Sequence, residues 1–240
     1  LDPFCLRPTR IKPPKVDGPR YTAPDSELIE YLESLDDSGR LLVAEESEVP
    51  RHRTSQPRSV VKSEFWDRPI TDRRIANGEE NTPFGESHLM PTGDRFCDVD
   101  LVRKQLLYTA KRDIDGFFPS MVVTREHALT DAIGKPFPAP LLAGCPSCPQ
   151  TPGRKWGCLD TVGQGGHGAP HWAIGSHRGV LREIGVLLQE KEIISGQPFP
   201  QADDPIAVVV DDVIKLPRTS LPAEELAFEA RLDLRALSQT

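Results

Sequence analysis

Long apolar runs are missing from this sequence. The purest is Ile206 to Val210, far short of the ~18 residues that a bilayer-spanning helix needs. A membrane-spanning helix is therefore excluded. Aromatic residues are scarce at 6%, and hydrophobic residues reach only 38%. That supports one compact core, but not one extending through all 240 residues. Basic surplus is missing as well: 29 Lys and Arg face 36 Asp and Glu, for a net charge of -7. A protein whose main partner is a phosphate backbone needs the opposite balance, so no direct nucleic-acid partner is expected. Cysteine is sparse and odd in number, at positions 5, 97, 145, 148 and 158. Secreted disulfide frameworks are denser and even-numbered. No Asn-x-Ser/Thr sequon occurs. Together these point to a reducing intracellular compartment. The first residue is Leu1, as in a processed product or a fragment; if it marks the removal of a targeting peptide, an organelle such as the mitochondrion would fit.

Proline is abundant, with 24 in the chain, about twice the ordinary ~5%. Residues 1–24 hold six of them, interspersed with Arg and Lys. Each fixes its own φ and turns the preceding residue away from helix. The segment should be extended and coreless. Pro24-Asp25-Ser26 then opens a helix, with Leu28, Ile29, Leu32 and Leu35 on one face. Leu41 to Ala44 reads as a short strand. Residues 45–97 hold five more prolines, many charges and isolated aromatics. A structureless loop of that length is improbable within a compact domain. The segment is then either disordered or extended along another protein.

Asp98 to Tyr108 has helical spacing, and Thr124 reads as the N-cap of a helix that ends at Gly134. A longer helix is expected from Ser176 or His177 to Ser195-Gly196, with Val180, Leu181, Ile184, Leu187 and Leu188 as its stripe. Ile206 to Leu216 reads as one buried strand. At the C-terminus, Phe228, Ala230, Leu232 and Leu234 alternate at strand period, while Leu226, Ala230, Leu234 and Leu237 fit one helical face, and a helix is favoured. The fold class expected is α+β, with a small mixed core over residues 98–240 and a Cys/His-rich loop at about 145–177. Residues 1–97 form a proline-rich region with one short helix.

The most specific chemical pattern is Cys145-Pro-Ser-Cys148 with Cys158 beyond it. Two thiolates two residues apart can reach one metal. Cys158 would be a third ligand, and His167, His171 or His177 a fourth, closing a structural zinc tetrahedron. A redox role for the pair would need a helix to follow at once, and Pro149 and Pro152 stand there instead. Gly163-Gln-Gly-Gly-His-Gly168 resembles a phosphate cradle only in glycine content. Leu159 to Val162 reads as a poor strand, and Pro170 intervenes before the next helix. Ser176-His177-Arg178-Gly179 could hold an anion at a helix start. The G-x-S-x-G and H-E-x-x-H frames are absent.

Two acidic pairs stand apart from that cluster. Asp113-Ile-Asp115-Gly-Phe-Phe118 and Val209-Val210-Asp211-Asp212 resemble, over about ten residues, the two carboxylate motifs of reverse-transcriptase palm domains. The resemblance implies aspartates at strand ends that hold two Mg²⁺ ions for phosphoryl transfer. A basic fingers region is missing and the chain is acidic.

Composition and organisation lead to a different first expectation: a non-catalytic accessory subunit of a larger multiprotein complex of the mitochondrial respiratory type. Its N-terminal third would order on other protein subunits, and a zinc would stabilise its loop. The alternative is a metal-dependent enzyme built on Cys145, Cys148, Cys158 and the histidines. A third reading is an anion- or nucleotide-binding module using Gly163 to Arg178.

Overall fold

The computed structural model describes residues 24–50, 54–61, 64, 67–80 and 85–219. The proline-rich residues 1–23 and the expected C-terminal helix lie outside the described residues. In chain order the helices and strands are α1 (Asp25–Asp37), β1 (Leu41–Glu45), β2 (Thr54–Val61), β3 (Asp67–Asp72), α2 (Arg74–Glu79), β4 (Leu106–Leu107), β5 (Ala110–Asp113), α3 (Phe117–Ser120), α4 (Arg125–Ala128), β6 (Ala132–Ile133), β7 (Phe137–Pro138), β8 (Arg154–Leu159), α5 (Ala169–Glu183), β9 (Ile206–Val209), β10 (Asp212–Lys215) and β11 (Arg218–Thr219). Helices and mixed sheets make the protein α+β. It divides into two compact units, Leu1–Pro83 with Gly116–Ala169, and Phe84–Asp115 with Pro170–Thr240.

The first unit is built on a six-stranded sheet ordered β1-β8-β6-β2-β3, with β7 also on β8. β8 is antiparallel to β1, while β2 runs parallel to β6. Helix α1 forms where its sequence signals it, and Leu28, Leu32 and Leu35 are its buried face. It stops because Gly39 takes φ +66 and sends its N–H back to Asp36 O, while Arg40 N–H reaches Leu35 O. Those leucines pack with Leu41, Val43, Ile133, Phe137 and Leu142. Gly134 must be glycine. Its φ is +65, and a Cβ there would lie 2.5 Å from Leu28 Cδ2.

The stretch 45–97 differs from expectation: among its described residues are β2, β3 and α2. Pro57 is tolerated in β2 because β6 pairs only Thr54 and Ser55, leaving Pro57 opposite β3 alone. Thr124 does cap a helix, accepting from His127 N. That helix, α4, is four residues long, and the expected remainder becomes strand β6.

In the second unit β5, β10 and β9 form a three-stranded antiparallel sheet in that order. The segment 98–108 is not a helix. Its Leu101, Val102, Leu106 and Leu107 are all substantially exposed, and Leu106–Leu107 pairs with β11. The long helix lies earlier than expected, at Ala169–Glu183, with Gly185 at φ +74 just beyond its end. Its buried face is Ala173, Ile174, His177, Arg178 and Leu181, whereas Val180 is 54% exposed. Leu181 packs with Leu187, Ile206, Val208 and Val213. The segment 206–216 is a hairpin rather than one strand. Val209 pairs with Asp212, and Val210-Asp211 form a two-residue turn.

Candidate metal centre

The hairpin register decides which side chains meet. Asp113, the last residue of β5, lies directly opposite Asp212, the first residue of β10. Asp211 sits in the turn that precedes Asp212, and its carbonyl accepts from Ile114 N–H at 3.1 Å. The result is a group of three carboxylates whose ligand oxygens all lie within 4.8 Å of one another. Asp113 is exposed, and Asp211 and Asp212 are half-buried. Lys111 stands two residues before Asp113, on the same face of β5. Its Nζ is 2.8 Å from Asp212 Oδ2, and that hydrogen bond holds the ammonium's pKa above its ordinary value. The other oxygen, Asp212 Oδ1, is buried without a hydrogen-bond partner. An all-oxygen set with a spare buried lone pair suits a hard divalent cation such as Mg²⁺ or Mn²⁺.

The cysteines and histidines are placed differently. Cys145 and Cys148 are buried together beside α1 and Leu142. Cys158 is buried in β8 within a separate cluster that includes Trp156, Val49 and Ala128. Burial pushes the Cys145 thiol up to about 11 and Cys158 up to about 12. His167 is exposed and tied by its backbone N–H to Asn77 Oδ1. Among the described residues of the first unit, no three of Cys145, Cys148, Cys158 and His167 have ligand atoms in mutual reach. His171 and His177 belong to the second unit, on α5. His171 Nδ1 accepts from Ser87 N–H at 3.3 Å. His177 Nδ1 meets Val210 O at 2.9 Å.

The glycine-rich loop has a visible reason for its composition. A Cβ on Gly163 would lie 2.9 Å from Asp131 Oδ2, and one on Gly166 would run into Arg73 Nη1. Gly165 has φ +113 and approaches Thr71 O. The loop lies against a buried ion cluster in which Arg73 meets Glu80 at 3.1 Å and Asp131 at 3.2 Å. Asn77 Nδ2 donates to Gly165 O at 2.7 Å. Arg178, expected at a helix start as an anion ligand, is instead well inside α5. It is paired with Glu86 and with Glu192, the latter at 2.5 Å.

Lys111 was not a candidate from sequence, and a lone lysine before an aspartate carries no signal. The three aspartates were visible as a resemblance, and their convergence was not. No known protein-family model matches this chain, and no curated protein matches it.

Proposed function

We propose that the second unit is a metal-dependent phosphoryl-transfer module of the reverse-transcriptase palm kind. The observation that supports it is the convergence of Asp113 with Asp211 and Asp212. These are the residues of the two motifs in which the sequence resembles that family. They come from adjacent antiparallel strands, and the Asp-Asp pair stands in and just after a hairpin turn. The carboxylates would hold two divalent cations, which polarise a phosphoryl oxygen and make a hydroxyl nucleophilic. The chain itself contributes the aspartates as ligands and Lys111 as their counterion. The net charge of -7 is that of the whole chain: the cations would meet the reacting phosphoryl group, and contact with a primer-template backbone would have to come from local basic residues.

The test is Mn²⁺ binding by the full chain, followed by electron paramagnetic resonance, together with extension of a primed template. The wild type should bind Mn²⁺ and extend the primer. Asp212→Asn and Asp113→Asn should each weaken Mn²⁺ binding by about tenfold or more and abolish extension, while the far-ultraviolet circular dichroism is kept. Unchanged Mn²⁺ binding in both variants would refute the reading. An accessory subunit would instead copurify with other polypeptides and show no dependence on these aspartates. Elemental analysis of the same native material tests the sequence-based expectation of zinc, for which Cys145, Cys148 and Cys158 do not lie in mutual reach.

A further inference from the structure

We infer that His177 is a positioning residue that locks the turn carrying Asp211 and Asp212. This inference rests on the function proposed above. The turn between Val209 and Asp212 has two residues, Val210 and Asp211. Val210 has φ +55. Among the described non-glycine residues, Lys104 is the only other with positive φ, so Asp211 does not share it. Positive φ at the first turn residue and not at the second is the pattern of a type II′ hairpin turn. Glycine is the usual first residue there. Valine is β-branched and disfavours that conformation, so the turn needs help from outside itself.

The help comes from α5. A carbonyl oxygen can only accept, so the 2.9 Å contact requires that His177 Nδ1 carry the proton and donate to Val210 O. That carbonyl belongs to the central peptide of the turn. It is the group that reverses when a II′ turn converts to the I′ form, which needs positive φ at both positions. A donor fixed on this oxygen holds the II′ form and with it the direction of the Asp211 side chain. The donor is itself fixed. His177 is only 3% exposed. The next residue, Arg178, ties the helix to Glu86 and Glu192. The turn is held from the other side by Ile114 N–H on Asp211 O.

The experiment compares the full-length wild type with His177→Asn, His177→Gln and His177→Phe. An Asn side chain can place its N–H where Nδ1 stood, whereas Gln carries its amide one bond further out. Mn²⁺ affinity should fall about tenfold in the Phe and Gln variants and return to within about threefold of wild type in the Asn variant. A purely structural role would rank the variants by thermal stability alone, so melting curves are recorded beside each titration. Equal Mn²⁺ affinity in the Asn and Gln variants would overturn the inference. A second readout is independent of metal: ¹⁵N spectra of histidine-labelled wild type should show His177 protonated at Nδ1. Protonation at Nε2 alone would overturn the inference even if Mn²⁺ binds. If the spectra show the Nδ1 proton but Asp212→Asn leaves Mn²⁺ binding intact, the proposed function fails and the turn lock stands as a structural contact only.

Discussion

Lys111 and Arg73 show how much the same kind of ion pair changes with its surroundings. Arg73 is buried to within 1% of full coverage, and so is its partner Asp131. Removing one side of such a cluster leaves a charge unpaired in the interior. Lys111 is 58% exposed, and it meets Asp212 at the rim of the acidic group. An exposed pair of this kind contributes little to stability, so its loss should hardly affect folding. Its effect should appear in binding, because a divalent cation must compete with the ammonium for Asp212. Lys111→Met should therefore bind Mn²⁺ about two- to fivefold tighter than wild type at low salt, the fold-change that such a pair can carry. The advantage should shrink as salt screens the pair. Equal or weaker Mn²⁺ binding by the variant would show that Lys111 does not oppose the cation.

At the scale of elements, legibility followed locality. Helix α1, strand β1 and the Thr124 cap were readable because each signal lies within a few residues of the structure it sets. Helix α5 begins earlier than its apolar periodicity predicts; its buried face includes His177 and Arg178, and polar residues drop out of that periodicity. Val180 fits the apolar stripe of the sequence for the same reason and is exposed. The run Ile206 to Leu216 concealed a hairpin. Its hydrophobic pattern continues across the turn, and only Asp211-Asp212 marked the break. The acidic group depends on Asp113 lying opposite Asp212, a register that no local pattern encodes. The glycines divide along the same line, between those that only the fold explains and those that are free. Gly166→Ala puts a methyl against the Arg73 guanidinium and should destabilise by about 1–3 kcal/mol. Gly179, within α5 and with open space at its Cβ, should gain about 0.5–1 kcal/mol as alanine. Urea unfolding of the two variants should move the midpoint in opposite directions. A Gly166→Ala midpoint at or above wild type would contradict the close packing of the loop on Arg73.

The whole molecule buries titratable groups that resist charging on both sides of neutrality, and this gives its stability a plateau with two edges. On the acid side, burial first and the nearby Arg73 second push His127 down to about 4. Burial lowers His177 as well. An unfolded histidine titrates near 6.5. Below that pH the unfolded chain binds protons that the folded chain refuses, so stability is full above about 6.5 and falls as the pH drops toward 4. A shift of this size in His127 corresponds to about 2–3 kcal/mol across that interval. On the alkaline side the sign reverses. Unfolded thiols lose their protons near 8.5, whereas Cys145 and Cys158 hold theirs to about 11 and about 12. Their contribution is full below about 8.5 and is lost as the pH rises toward those values. Urea unfolding should thus give a maximum between about pH 6.5 and 8.5. His127→Gln should flatten the acid edge by lowering stability at pH 7 more than at pH 4.5. Cys158→Ala should flatten the alkaline edge, losing less than wild type between pH 8.5 and 10.5. If either variant keeps the wild-type slope on its own edge, the buried group named for that edge does not set it, and the pH dependence comes instead from the surface ion pairs that share it.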